Sequence, residues 1–376
     1  MTSVHQATDV RIFVKECRSL SHYGWKVTLI APHDRQEEKD GVTIVPVAQP
    51  AHRWQRMTAL LRQSYLAALR INAPIYHLHD PELIPVGILL RLRGKIVIYD
   101  VHENLALQIR SKDWIPSWAK SLLSLGTEVL ENAAALFFDG IVAATPSIGH
   151  RFPAAKTTVV QNFPFLMENK QEGLSSTGKD FFPIMYVGRI AKERGAFEML
   201  ETLDLLGDPT IKLLMAGNVA SEALLQMMKR HPGWHYVDFR GWLNHGQVQE
   251  MLGKGRIGLV ILHPEPNYLK SYPIKLFEYM AAGIPVIASD FPLWRSIVEK
   301  ASCGLLVDRQ NPAAIARAIR WLMAHPQEAA AMGKRGRQAV EEHYNWPREE
   351  RKLLALYDRL AAGLDNLSTV KQKEAW

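Results

Sequence analysis

Apolar positions along this chain follow two alternating rhythms. After Asp9, the residues Val10, Phe13, Val14, Cys17 and Leu20 fall three and four apart, which predicts a helix with one apolar face, ended by Gly24. Short β-rich runs interleaved with helical stretches follow: WKVTLIA, VTIVPV, IYHLH, KIVIYD, DGIVAAT and TTVVQ. Their nearly unbroken apolar character predicts strands of a parallel sheet buried on both faces. A second series runs through FPIMYVG, IKLLMAG, HYVDF, RIGLVIL, PVIAS and GLLVD. The segment NWPREERKLLALYDRL closes the pattern as an amphipathic helix with Pro347 in its first turn.

Alternation of strand and helix predicts an α/β, doubly wound fold, with a single barrel as the alternative, because parallel strands need crossovers that cover both faces of the sheet. Between the two series lies MENKQEGLSSTGKD, polar and without hydrophobic period. It divides the chain into an N-terminal Rossmann-like domain at 1–163, a linker at 164–180 and a C-terminal domain at 181–344. The helix at 345–376 is expected to pack back on the first domain. A first strand confined to TSV is short for its role, which leaves open that the natural chain begins upstream.

The 376 residues suit two domains, and 47% hydrophobic with 22% charged residues is the balance of a globular protein. Cys17 and Cys303 are far apart and have no neighbouring thiol, which excludes a disulfide framework and a CxxC metal site and fits a reducing compartment. No secretory leader and no apolar run of spanning length is visible, so the expected place is the cytoplasm, with any membrane contact peripheral. The net charge of +7 suits an anionic partner. No acidic residue lies between Asp40 and Asp80, while Arg53, Arg56, Arg62 and Arg70 fall along a predicted amphipathic helix. That helix reads either as sheet packing or as a docking element for an anionic inner leaflet. Nucleic acid is not expected, since no aromatic stacking platform is interleaved with the basic residues.

Ligands of open parallel sheets bind beyond the carboxyl ends of the strands, and residues there are the first candidates. In YVGRIAKERG a strand ends at Gly188, and a helix is expected from near Glu193, with Arg189 and Arg194 bracketing the turn. Glycine permits close backbone approach, and two guanidinium groups can neutralise a diphosphate. In SYPIKLFEYMAAGIPVIAS, Ser271 is expected to cap a helix that has Pro273 in its first turn. Lys275 and Glu278, three apart, share one face of it, as a site or as a surface ion pair. In the first half His77, His79 and Asp80 follow one strand, and His102 and Glu103 another. His77 and His79 share a strand face, so two zinc ligands are geometrically possible, but nothing supplies the rest of such a site.

These stretches resemble the retaining glycosyltransferases of family 4, of GT-B fold. The likeness lies in VGRIAKERG, the strand end LLMAG and above all KLFEYMAAGIPVIAS, with SVHQATDVRIFVKECRSL, HLHDPELIPVG, IYDVHEN and GIVAATPSI in the first half. It implies two Rossmann-like domains facing across a cleft and transfer of a sugar from a nucleoside diphosphate donor to a glycan or lipid-linked acceptor. Such chemistry serves cell-surface polysaccharide or glycoconjugate synthesis. It further implies retention by same-face attack assisted by the leaving phosphate, with no metal, in keeping with the lack of a DxD motif.

Carried over by position, the resemblance gives Gly188, Arg189, Arg194, Gly217, Ser271, Lys275, Leu276 and Glu278 as donor-binding residues. Arg189 and Arg194 would meet the diphosphate and Glu278 the ribose. His102, with the two arginines, is the catalytic set, and His79, Asp80 and Glu103 lie on the acceptor side. Lys270 stands where the family has a sugar-contacting glutamate, and a cation cannot accept hydroxyl hydrogen bonds. A nucleotide-sugar epimerase and a binding protein without turnover are the rivals. A nicotinamide oxidoreductase is disfavoured, because no GxGxxG follows a strand in either half.

Overall fold

A computed structural model of the chain describes residues 1–48, 56–111, 115–166 and 181–373. Two compact units emerge, one of Met1–Asn162 with Trp346–Trp376 and one of Phe163–Asn345.

The first unit carries β1 (Val27–Pro32), β2 (Glu37–Lys39), β3 (Val42–Val47), β4 (Ile75–Leu78), β5 (Ile96–Val101), β6 (Gly140–Ala143) and β7 (Thr157–Val159). A four-stranded parallel sheet has the order β4-β5-β6-β7, and a three-stranded sheet the order β1-β3-β2. Between them runs the start of the chain: Thr2 N donates to Ile30 O at 2.9 Å, and His79 N to Met1 O at 3.0 Å. The short segment expected to be a first strand thus joins both sheets by isolated bonds. The expectation of parallel strands alone is corrected at one edge, where β2 pairs antiparallel with β3 through the tight turn at Asp40 and Gly41, both at positive φ. The run EEK alternates no apolar residues, so periodicity did not mark it.

The first helix, Val10–Cys17, continues into Arg18–His22 and is capped by Asp9, whose carboxylate accepts from Arg11 N and Ile12 N. Its apolar face, Ile12, Phe13 and Cys17, packs on Leu29, Ala31 and Ile44. The closing helix, Trp346–Lys373, belongs to this unit: Trp346 Nε1 donates to Ser19 Oγ at 3.0 Å, and Glu349 accepts from Gln161 N at 2.8 Å. Of the basic stretch at 51–70, residues 51–55, with Arg53, lie outside the described residues. The described part runs from a helical turn, Arg56–Leu60, into the helix Leu61–Ile71, which buries Ala68 in the sheet core and leaves Arg62 and Arg70 exposed.

The second unit holds β8 (Phe182–Val187), β9 (Ile211–Ala216), β10 (Val237–Gly241), β11 (Ile257–Val260), β12 (Val286–Ser289) and β13 (Gly304–Val307). All pair parallel in the order β10-β9-β8-β11-β12-β13. Alternate residues of β8 enter opposite cores, Ile184 and Tyr186 on one face and Met185 on the other, as a period of two requires. Counted from β8, the order is 3-2-1-4-5-6, so connections leave in opposite directions on either side of the β8/β11 pair. That reversal opens a crevice at the carboxyl ends of those strands.

Candidate active site

β8 delivers Gly188 to that crevice at φ +127°, and β9 delivers Gly217 at φ +136°. Both values lie where side chains are strained, and the chains approach so closely that a Cβ on Gly217 would stand 1.9 Å from Gly188 O. The two glycines therefore bare backbone at the rim of a cleft of about 420 Å³, lined among others by Arg189, Asn218, Trp242 and Val248.

The expected helix near Glu193 begins later than the sequence suggested. Lys192–Arg194 forms one 3-10 turn, Gly195 follows in the left-handed region, and the helix proper is Ala196–Leu206. Gly195 is required by space as well as by φ, because a Cβ there would meet Ile261 O at 2.9 Å. The turn fixes Arg194 with its guanidinium 5.5 Å from the Tyr268 ring centroid, and its Nε is buried without a hydrogen-bond partner. Arg189 is exposed on the cleft rim, while its carbonyl accepts from Tyr186 Oη at 2.7 Å.

The helix Ile274–Ala281 supplies the central cation. Its cap is Pro273, without a side-chain hydrogen bond. The expectation that Ser271 caps it is corrected: Ser271 Oγ donates to Tyr268 O at 3.1 Å and its carbonyl accepts from Trp294 Nε1 at 3.0 Å. Proline at the cap carries no acceptor side chain, so the first-turn N–H groups are not closed off from that direction. Leu276 is fully buried and its N–H is taken by Pro273 O.

Lys275 is 6% exposed, and its Nζ sits 3.7 Å from the Tyr186 ring centroid with no hydrogen-bond partner. Burial, and next the charge of Arg194, push its pKa well below the ordinary lysine value; Glu278 opposes this. A buried ammonium without an acceptor costs free energy unless an anion joins it. Two basic side chains and a helix start without a side-chain cap thus lie close together, a setting that favours negative charge. The structure brings Gly188, Arg194, Lys275 and Glu278 together here, with Arg189 and Gly217 on the adjoining cleft. Lys270 is exposed at the end of the short helix Pro266–Leu269.

In the first unit a charged knot lies under the ends of β4 and β5. Asp100 is fully buried and takes both Arg11 Nη2 contacts at 3.0 Å. Its Oδ2 also lies 3.3 Å from His102 Nε2 and 3.4 Å from His79 Nδ1. Burial would raise the Asp100 carboxyl, but Arg11 and His102 overcome it and hold the group well below the carboxylate range. Glu16, 3.1 Å from Arg11 Nε, is pushed the other way, first by burial and then by Asp100. Burial lowers His79 to about 3, so its ring is neutral.

Sequence reading missed this knot, because Arg11 and Asp100 meet across 89 residues. His77 and His79, for which the sequence disfavours a zinc site, do converge with two carboxylates: Glu16, His77, His79 and Asp100 offer ligand atoms within 4.8 Å of one another. The positive charge among them is supplied by Arg11. Asp80 is buried, its Oδ2 accepting from Thr2 Oγ1 at 2.6 Å and Ser3 N at 2.5 Å, so it ties down the start of the chain. His102 is partly exposed and Glu103 exposed. Both cysteines are buried, with thiols pushed up by burial to about 12. Among the described residues no helix is long and apolar enough to cross a membrane.

Two Rossmann-like units, one with a crevice at its strand reversal, make the GT-B architecture, and the family models that the chain matches make it a nucleotide-sugar-dependent glycosyltransferase. The family model for glycosyl transferases group 1 matches residues 168–339, and that for the glycosyl transferase 4-like domain matches 11–162. The chain belongs to this family, the family 4 glycosyltransferases. It is 21% identical over 341 residues to a glycogen synthase of Mycobacterium tuberculosis, covering 82% of this chain and 78% of the relative. It is 21% identical over 297 residues to a GDP-mannose:cellobiosyl-diphosphopolyprenol alpha-mannosyltransferase of Xanthomonas oryzae, covering 76% and 74%. Among solved structures, sucrose-phosphate synthase from Thermosynechococcus elongatus superposes with a TM-score of 0.74 at 18% identity, covering 94% of this chain and 93% of the other.

Proposed function

We propose that the second unit binds a nucleoside diphosphate sugar and that the enzyme transfers its sugar, with retention and without metal, to a glycan or lipid-linked acceptor. The observation that carries this reading is the buried, unpartnered ammonium of Lys275 beside Arg194. As the bond from sugar to phosphate breaks, negative charge grows on the departing diphosphate. Lys275, Arg194 and the start of the helix Ile274–Ala281 stabilise it without reorganising, which is the role a divalent ion plays elsewhere. Arg189 flanks the diphosphate from the rim, and the side-chain-free backbone of Gly188 and Gly217 admits the nucleotide to the cleft. Glu278 accepts from the ribose hydroxyls.

On the acceptor side, His102 orients the reacting groups and Glu103 meets the acceptor. His79, Asp80 and Asp100 stand behind them as a rigid support. Retention follows from attack on the face the leaving diphosphate vacates, with a phosphate oxygen assisting. The work of such an enzyme is in cell-surface polysaccharide or glycoconjugate synthesis, from the cytoplasmic side.

A thermal-shift panel of uridine, guanosine, thymidine and adenosine diphosphate sugars tests the donor. One of them should raise the melting temperature, and Arg194→Ala and Glu278→Ala should remove both that shift and turnover while the proteins stay folded. Near-normal turnover in both variants would overturn the assignment. A donor converted without any acceptor would point instead to epimerisation, and binding without turnover to a protein that has lost catalysis, for which Lys270 is the supporting residue.

A further inference from the structure

The helix Ser117–Phe137 in the first unit is turned inside out. Its buried positions include Ser124 and Glu131, held by polar partners: Ser124 Oγ accepts from Arg110 Nε at 3.0 Å, and Glu131 accepts from Tyr99 Oη at 3.1 Å and Arg151 Nη2 at 2.7 Å. Its large apolar side chains point away from the protein. Trp118 is 79% exposed, Leu136 68% and Leu122 67%, with Leu123, Leu125, Val129, Leu130 and Phe137 exposed beside them.

These residues are ordered, not scattered. At about 100° per residue, Trp118, Leu122, Leu125, Val129 and Leu136 form one ridge along the helix, and Leu123, Leu130 and Phe137 a second. Between the ridges lie Ala119, Gly126 and Ala133, seven residues apart, which leave a trough. A Cβ on Gly126 would meet nothing within 4 Å. Glycine in the middle of an exposed helix costs about 1 kcal/mol relative to alanine, and nothing in the unit's own packing uses it. Spacings of three and four with Asn132 in the line of the first ridge are the pattern of a helix seam, where one polar residue sets register.

We propose that this face pairs with the same face of a second copy of the chain, ridge into trough across a two-fold axis. The shape is self-complementary, since one helix offers both ridge and trough, and that is what a two-fold contact demands. At about 150–250 Å² for each aromatic side chain and somewhat less for each aliphatic one, the eight exposed residues present on the order of 900 Å². That exceeds the roughly 300–600 Å² of the largest apolar patch on an ordinary monomer, and it matches the roughly 800 Å² per partner of a stable complex. A lipid surface fits less well: it has no use for a trough, and the helix carries Lys120 against Glu128, with no basic excess of its own.

Sedimentation equilibrium of the full chain should give twice 42.5 kDa at micromolar concentration. Gly126→Leu fills the trough at a position where the side chain has room, so the fold should survive, as far-ultraviolet circular dichroism and the melting temperature will report. In that variant, and in Val129→Lys, the dimer should dissociate at least tenfold more readily. A monomeric wild type overturns the proposal, whether or not it binds vesicles of phosphatidylglycerol and phosphatidylethanolamine; binding would assign the face to lipid. A dimer indifferent to both substitutions overturns it as well.

Discussion

The Lys275 ammonium stands 3.7 Å over the ring of Tyr186, with no acceptor in reach. The aromatic face offsets part of the cost of burying the charge, but it cannot accept hydrogen bonds from three N–H groups. The free protein therefore holds an amine whose charged form waits for an anion to pair with it. Lys275→Met, which keeps the stem and removes the charge, should stabilise the ligand-free protein by about 1–3 kcal/mol, the cost of an unsatisfied buried donor. It should also abolish the thermal shift given by a nucleoside diphosphate. The folded-state pKa of Lys275 lies below its unfolded value, so the unfolded chain binds the extra proton in that window and wild-type stability rises with pH there. The variant should lack that slope, which urea titrations at several pH values will measure.

The same lysine makes binding take up protons. A diphosphate placed beside Nζ favours the charged form, so the lysine pKa rises on binding from its lowered free value. Affinity should be greatest below the free-state value and fall as pH climbs toward the bound-state value. Calorimetry of nucleoside diphosphate binding in two buffers of different ionisation enthalpy, at a pH inside that window, should give different apparent heats, with the protein absorbing protons. Equal heats would mean that Lys275 keeps its state and does not face the ligand.

Gly188 and Gly217 test the backbone half of the site. Gly217→Ala would place a methyl group 1.9 Å from Gly188 O in a backbone of φ +136°. Either the strand end shifts or the chain strains, and the loss of stability should exceed about 1 kcal/mol. Because the movement occurs at the cleft wall, nucleotide affinity should fall further than stability. Chemical denaturation and nucleotide titration of the variant measure the two effects separately.

How much of this was legible in the chain depended on sequence distance. The segment 274–289 announced its helix, its return strand and the shared face of Lys275 and Glu278, because spacing within one element is local information. The cap was misread, since Ser271 is tied to the turn at Tyr268 and leaves Pro273 at the helix start. Tyr186 under Lys275 and Asp100 under His102 could not be read, because strand order decides those neighbours. Periodicity also cannot say which face of a helix is inside. Leu122, Val129 and Leu136 have the spacing of a core stripe, yet in the structure Ser124 and Glu131 take the inner side.

Glu16 and Asp100, the two carboxylates around Arg11, should respond in opposite ways to loss of charge. Asp100 is ionised and bidentate with Arg11, so Asp100→Asn leaves a buried guanidinium partly uncompensated and should cost about 3–5 kcal/mol. Its folded pKa lies below the unfolded value. Its contribution is therefore present above the unfolded carboxylate range and is lost as pH falls through the lowered value. Glu16 has a folded pKa well above the unfolded one, raised by burial and by Asp100. It favours folding only at low pH, and that contribution disappears as pH rises through the raised value. Glu16→Gln, which mimics the protonated acid, should then be neutral or slightly stabilising at and above neutral pH. Urea denaturation of both variants from pH 4 to 9 would show the asymmetry. Equal losses in the two would mean that Arg11 is shared evenly and that Glu16 is ionised. Asp100→Asn should in addition lower turnover more than donor affinity, since the contact it weakens is the one that orients His102 at 3.3 Å.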